Sequence, residues 1–286
     1  MIGAFFMQKI RYFILTKSIG LYVNLLSFLL PKKGKEVVYY FFSKPRDGKL
    51  RHDALPELLA KTHRETISLN GDTIQTYTWK GNGAVILLAH GWDSNSWRWE
   101  KLLPFLQASG STIVALDAPD HGLSQGSFSL PKYAAFINAA AEKFKPDYLI
   151  GHSIGGSASL YYQHLYQNPK LRKLVMLGSP AELNPIIDNY DGLLGLTRKS
   201  RELLNQYFME HFNFHPDNYT ARIFGKTLNL DGLVAHDTED DVVRFTEMEK
   251  ISDAWSKAKV IKTSGLGHSM HGDELYGEVA RFLFED

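Results

Sequence analysis

The sequence of 286 residues predicts an α/β fold, with a mainly parallel sheet of about eight strands, helices on both faces and a helical cap. Three observations carry that expectation. Nearly pure apolar runs of strand length recur at Ala84–Ala89, Thr112–Leu116, Tyr148–Ile150, Lys173–Leu177 and Leu233–Ala235, with Lys259–Lys262 weaker. Such continuous runs mark strands buried on both faces of a parallel sheet. Helix-length segments separate them, as right-handed crossovers require. Finally, one interval from Pro180 to about Asn229 contains no buried-strand run at all.

The elements follow in chain order. The first thirty residues are rich in Phe, Ile, Leu and Tyr, but Lys9, Arg11 and Lys17 interrupt them. The longest charge-free run, Ser18 to Pro31, spans 14 residues, short of the roughly 20 that cross a bilayer. Pro31-Lys32-Lys33 after Leu29-Leu30 fits a signal-peptide cleavage site poorly. Two readings stay open for this arm. It packs on the main domain or on a partner subunit, or it lies in a membrane surface. In the second case Lys9, Arg11, Lys17, Lys32, Lys33 and Lys35 face anionic headgroups.

Lys44 to Leu50 is polar with Pro and Gly, and reads as a linker. The expected organisation is therefore an arm and linker over residues 1–50 and a main domain over 51–286. Glu65–Leu69 and Thr73–Trp79 alternate around Asn70-Gly71-Asp72, a hairpin signal. Helices are expected near Trp97–Ser109, Lys132–Phe144, Gly155–Gln167, Thr246–Ala258 and Asp273–Phe284. The interval over about 180–229 is amphipathic and aromatic, too long for one crossover or a structureless loop, and reads as the helical cap.

Composition narrows the function. Hydrophobic residues make up 44% and charged residues 22%, an ordinary globular balance. There is no cysteine, which excludes a thiolate nucleophile and every thiolate metal site. Net charge is +1, which argues against nucleic-acid binding. The charge is uneven: residues 1–64 carry 12 Lys/Arg against 4 Asp/Glu, and no acidic residue precedes Glu36.

The strongest local signal is Gly151-His152-Ser153-Ile154-Gly155-Gly156, between the strand at Tyr148–Ile150 and a helix pattern. In that context Gly-x-Ser-x-Gly reads as a sharp turn that presents Ser153 as a nucleophile. The glycines let strand and helix approach, and the helix N-terminus leaves free N–H groups beside the hydroxyl. A serine hydroxyl needs a base at neutral pH. Gly265-Leu266-Gly267-His268-Ser269 offers His268 on a glycine-rich loop before the last helix; His271 is its local rival. The base needs a carboxylate to fix its tautomer. His236-Asp237-Thr238-Glu239-Asp240-Asp241 follows a strand and supplies four carboxylates. Asp240 is preferred on spacing, with Asp241, Glu239 and Asp237 as alternatives. His90-Gly91-Trp92 follows the strand at Ala84–Ala89, so the backbone N–H groups of Trp92 and Ile154 are the expected oxyanion donors. His90 reads as a loop-orienting residue. Trp92, His152 and Trp97 are the expected substrate-contacting side chains, although Trp97 and Trp99 also suit helix packing.

Together, Ala89-His90-Gly91-Trp92, the segment Asp117 to Ser124, Gly151 to Gly156, His236 to Asp240 and Gly267-His268 resemble the α/β-hydrolase superfamily. The likeness is to its capped carboxylesterases and lipases. It covers roughly Glu65 to Phe284, and the order Ser, Asp, His is the family's order. Asp120 stands where the family usually has a glycine, and Asp tolerates positive φ. Asp237 and Arg244 replace the usual Gly and Pro around the acid loop, with Asp240 still aligned. Dehalogenase and epoxide-hydrolase relatives use an Asp nucleophile, and Ser153 points away from them.

The resemblance implies hydrolysis of an apolar carboxylic ester through an acyl-Ser153 intermediate, with no cofactor. Thioesterase, acyltransferase and carbon–carbon-bond hydrolase activities use the same three residues and stay open. So does a non-hydrolytic receptor on the same fold. Asp117, His121 and Ser124 are expected to hold their loop. His211 and His215 have helical metal-ligand spacing but no third ligand, so no metal is expected. Expected partners are a small-molecule ester and, through residues 1–35, a membrane surface or a second copy. The expected location is cytoplasmic, peripheral to the membrane if the arm binds lipid, with secretion disfavoured.

Overall fold

Eight strands form one sheet: β1 (His63–Leu69), β2 (Asp72–Trp79), β3 (Val85–Ala89), β4 (Thr112–Leu116), β5 (Tyr148–His152), β6 (Lys173–Leu177), β7 (Asp231–Asp237) and β8 (Ala258–Thr263). Their order across the sheet is β1-β2-β4-β3-β5-β6-β7-β8. The β1–β2 hairpin and the β2–β4 pair are antiparallel; every other pairing is parallel. Burial explains the sequence pattern. β3 to β6 are apolar because helices cover both of their faces, and Leu87, Leu88, Val114, Ile150 and Val175 are fully buried. β8 lies at the edge and is largely exposed, which is why its run is weak in the sequence.

The computed structural model describes residues 2–285, and for residues 2–6, 8 and 9 the backbone course alone. Among the described residues the helices are α1 (Ile2–Leu29), α2 (Pro31–Ser43), α3 (Glu57–Ala60), α4 (Leu103–Gln107), α5 (Leu130–Phe144), α6 (Ile154–Tyr166), α7 (Asn184–Leu194), α8 (Arg198–Phe212), α9 (Ala221–Phe224), α10 (Thr246–Ala254) and α11 (Asp273–Phe284). The helix expected over 97–109 is split. A 3-10 turn covers Ser96–Lys101, and Pro104 opens α4 as a separate short helix.

The chain divides into two units, and not at residue 50. The larger comprises Pro45–Ala181 and Ala221–Asp286; the smaller comprises Met1–Lys44 and Glu182–Thr220. The linker therefore belongs to the sheet unit. Arg46 and Asp47 donate their backbone N–H groups to Asp93 Oδ1 at 2.8 and 3.2 Å, and Leu50 N–H donates to the Gly122 carbonyl at 3.1 Å. The inserted interval is helical as expected, but its last stretch, with α9, packs in the sheet unit.

The smaller unit joins the arm to the insertion. Lys17 does not break α1, which runs unbroken for 28 residues. Its ammonium donates to the carbonyls of Gly192 and Leu193, both at 2.9 Å, satisfying the C-terminal end of α7. Asn24 Nδ2 donates to the Gly195 carbonyl, and its Oδ1 accepts from Thr197 N–H at the start of α8. A Cβ at Gly20 would stand 1.8 Å from the Leu194 carbonyl oxygen, so only glycine allows this approach. Lys35 pairs with Glu210. Lys17 and Lys35, expected to face headgroups, are thus engaged inside the unit. Lys9 lies outside the described side chains, and Arg11, Lys32 and Lys33 are exposed.

Candidate active site

Every segment singled out in the sequence leaves the sheet at the carboxyl end of its strand, where ligands bind in open parallel sheets. β5 ends at His152 and α6 begins at Ile154, so Ser153 alone makes the turn. Its backbone sits at φ +51°, ψ −127°, a region costly for any residue with a side chain, by about 1–3 kcal/mol. Close packing of α6 on the strands enforces it. A Cβ at Gly155 would lie 2.2 Å from the Ala89 carbonyl oxygen and 2.4 Å from that of His90. Ser153 N–H is fixed by the Leu177 carbonyl of β6 at 2.8 Å.

Three side chains from three segments meet in a row. Ser153 Oγ lies 3.0 Å from His268 Nε2, and His268 Nδ1 lies 2.8 Å from Asp240 Oδ2. Asp240 Oδ1 accepts from the N–H groups of Val242 and Val243 at 2.9 and 2.8 Å. Burial would raise the Asp240 pKa. Hydrogen bonds from His236, His268 and the Val243 N–H outweigh that and hold it well below the ordinary carboxylate range. The carboxylate is therefore ionised whenever the imidazole needs it. The proton on Nδ1 is directed at Asp240, which leaves the Nε2 lone pair for the serine hydroxyl.

The His268 loop is tied down on several sides. Asp237 Oδ2 accepts from Leu266 N–H at 2.9 Å and from Thr263 Oγ1 at 2.8 Å. Arg98 donates to the Ser269 carbonyl at 2.9 Å. His152 Nε2 donates to the His268 carbonyl at 2.8 Å. Asp237 thus braces the loop and does not approach the imidazole. His271, the local rival, turns away to hydrogen-bond with the Tyr276 hydroxyl; burial and the nearby Arg98 and Lys101 push its pKa down to about 4.

The loop after β3 lies against the serine. A Cβ at Gly91 would stand 2.9 Å from Ser153 Cβ, so the His90-Gly91-Trp92 backbone passes directly beside it. Ile154 is the first residue of α6, and its N–H belongs to the helix-start donors that lack intrahelical acceptors. His90 fixes this loop with both nitrogens: Nδ1–H donates to the Gly91 carbonyl at 2.7 Å, and Nε2 accepts from Ala118 N–H at 2.9 Å. Complete burial pushes its pKa well below the usual histidine value, which keeps it neutral.

The loop after β4 is held as expected. Asp117 accepts from the Tyr77 hydroxyl, Ser96 and Leu123 N–H, and Ser124 Oγ donates to the Asp117 carbonyl. His121 Nε2 accepts from Asp93 N–H at 3.2 Å. Asp120 adopts φ +58° where a glycine would be usual.

One expected substrate contact changes its reading. His152 is 6% exposed and its ring is occupied with the His268 carbonyl, so it supports the loop and offers no open face. Trp97 is 47% exposed on the Ser96–Lys101 turn and joins none of the hydrogen bonds that build the row. Trp92 packs edge-on against His121 and Phe128 at centroid distances of 5.1 and 4.8 Å. Sequence reasoning missed a role for His236. Its fully buried ring donates from Nε2 to the Val243 carbonyl at 2.9 Å and lies 3.3 Å from Asp240 Oδ2. The spacing of four between the two residues was the available signal. Among the described residues no cluster of His, Asp and Glu could hold a metal ion.

Comparison with known proteins follows this geometry. The sequence model described as the Alpha/beta hydrolase family matches residues 86–282. The chain is 35% identical over 103 residues to a serine hydrolase-like protein of Danio rerio, covering 34% of this chain and 31% of that protein. It is 32% identical over 108 residues to a pimeloyl-(acyl-carrier protein) methyl ester esterase of Neisseria meningitidis, covering 38% and 41%. The matched stretch thus spans less than half the length of these relatives. Among solved structures, Est1E of Butyrivibrio proteoclasticus with ferulic acid bound superposes with a TM-score of 0.64 at 19% identity, over 77% of this chain and 97% of that one. At that identity the likeness is one of fold.

Proposed function

This chain belongs to the alpha/beta hydrolase family, and from that membership we propose that it hydrolyses carboxylic esters through an acyl-serine intermediate. One observation carries the reading: the continuous row from Ser153 Oγ to His268 Nε2 and from His268 Nδ1 to Asp240 Oδ2, at 3.0 and 2.8 Å.

In this reading Ser153 Oγ attacks the ester carbonyl carbon while His268 Nε2 takes the hydroxyl proton. The resulting imidazolium is stabilised by the ionised Asp240. The carbonyl oxygen becomes an oxyanion that accepts from the N–H groups of Trp92 and Ile154, a donor pair of which each member is worth ~3 kcal/mol in the transition state. Collapse breaks the bond to the alkoxy group, and His268 hands its proton to the departing alcohol. Water, deprotonated by the same imidazole, then attacks the acyl carbon and regenerates Ser153.

The deciding experiment compares wild type with Ser153→Ala on p-nitrophenyl esters of increasing acyl length, alongside acyl-thioesters and diketones. The expected outcome is ester turnover with a chain-length optimum, lost in the variant, and fluorophosphonate labelling of Ser153. Unchanged rates in Ser153→Ala would discard the site. Faster thioester or diketone cleavage would move the activity to another bond on the same residues.

A further inference from the structure

α1 is built inside out. A helix on a water-facing surface turns its apolar side inward and its polar side to solvent. In α1 the buried positions are Thr16, Gly20, Val23 and Ser27, and the half-buried ones are Lys17, Ile19, Asn24 and Leu26, so five of these eight are polar or glycine. Lys17, Asn24 and Ser27 are consumed by hydrogen bonds with the ends of α7 and α8, and Thr16 donates to the Phe13 carbonyl within α1. The opposite stripe, at the same helical spacing, carries Ile14, Leu21, Tyr22, Leu25, Phe28 and Leu29. Leu21, Leu29 and Phe28 are 62%, 66% and 80% exposed. Satisfied polar groups inside and bare apolar groups outside is the arrangement demanded when the outer medium is itself apolar. An apolar face this long, running about 22 Å along the helix, exceeds what water-facing monomers expose without function.

We propose that the outer stripe of α1 docks on an anionic lipid surface, lying in the plane of the headgroups. The charges select this occupant. The stripe is bounded by exposed Arg11 at one end and exposed Lys32 and Lys33 at the other, and no acidic residue precedes Glu36. Cations flanking an apolar stripe complement headgroups and acyl chains together. A second copy docking through the same stripe would set these cations against their own equivalents.

The in-plane arrangement follows from the inner face. Ile10–Leu29 is long and apolar enough to cross a bilayer by length and composition. Its inner side, however, is bonded to α7 and α8, which carry the Arg201 ion pairs with Asp188 and Asp191 and the pair of Arg198 with Glu202. A span would draw these charges into hydrocarbon, whereas an in-plane helix sinks only about 5–10 Å and leaves them wet. This inference does not depend on the chemistry assigned to Ser153.

The test is co-sedimentation of the full chain with phosphatidylcholine vesicles, with and without about 30% phosphatidylglycerol. Binding is expected to the anionic vesicles, to weaken about tenfold on neutral ones, and to fall as salt is raised. Leu25→Glu/Phe28→Glu should lose binding by about tenfold or more, with unchanged melting temperature and unchanged turnover of a short soluble ester. Arg11→Gln/Lys32→Gln/Lys33→Gln should lose only the preference for anionic lipid. Ser153→Ala should bind as wild type does, which separates this result from the fate of the hydrolase reading. Vesicle binding that survives the Leu25→Glu/Phe28→Glu change would overturn the proposal. So would a lipid-free dimer that the same change dissolves, or a segment released only by detergent and shielded from protease.

Discussion

His152 donates from Nε2 to the backbone carbonyl of His268 at 2.8 Å. The residue before the serine therefore anchors the loop whose imidazole reaches that serine. Burial pushes the His152 pKa well below the usual histidine value. His152→Ala should lower kcat by about 10- to 100-fold, because a displacement on the order of 1 Å misaligns Nε2 with Ser153 Oγ. KM should change little. His152→Gln, which keeps a donor at a similar reach, should recover part of the loss. Equal kcat in His152→Ala and wild type would show that the loop holds its place without this bond.

Asp240→Asn should lower kcat by about 10³- to 10⁴-fold, because an amide nitrogen facing Nδ1 favours the tautomer that protonates Nε2. Stability should respond to pH with a defined sign. The folded carboxyl has a depressed pKa, so its contribution is fully present above the unfolded value of about 4 and is lost as pH falls through the folded value. The stability gap between wild type and Asp240→Asn should therefore be widest near neutrality and close in acid. Urea midpoints across pH check this.

Ser153→Gly should stabilise the fold while abolishing activity. The positive φ that strains a serine costs a glycine nothing, and the expected gain is about 1 kcal/mol, or a rise of ~2 °C in melting temperature. Ser153→Ala keeps the strain and should melt close to wild type. Equal melting temperatures for the glycine and alanine variants would remove strain from the account.

His271 supplies the second pH signature. Its folded pKa is lowered to about 4, while the unfolded value is ordinary. The unfolded chain takes up a proton below about pH 6.5 that the folded chain refuses, so stability falls from there toward pH 4. His271→Gln should flatten that part of the profile, and calorimetry at several pH values reads it directly.

The fold was legible because buried parallel strands announce themselves. β3 to β7 were all visible as apolar runs, and only the edge strand β8, exposed along most of its length, was faint. Ser153, His268 and Asp240 were legible because each sits in a local pattern: a glycine-flanked turn, a glycine-rich loop and a spaced acidic run. Their meeting within hydrogen-bond distance is a property of the sheet order. The supporting contacts were not legible. His152 acts through a backbone carbonyl brought near from the loop after another strand, and no local pattern encodes such a partner. The roles of Lys17 and Lys35 were not legible for a different reason: apolar residues nearly encircle α1, so periodicity marked no inner face, and the partners of both lysines lie far along the chain.

Residues 45–181 separate the two stretches that make up the smaller unit, and synthesis is vectorial. α1 and α2 leave the ribosome before α7 and α8, so the carbonyls and side chains that Lys17 and Asn24 engage are translated much later. At roughly 5–20 residues per second the wait lasts on the order of ten seconds or more. For that whole interval the nascent helix carries an uncovered apolar stripe and unspent polar groups together. Chaperone or bilayer can meet it before its own chain does, so a segment made before its partners is late to find its native place.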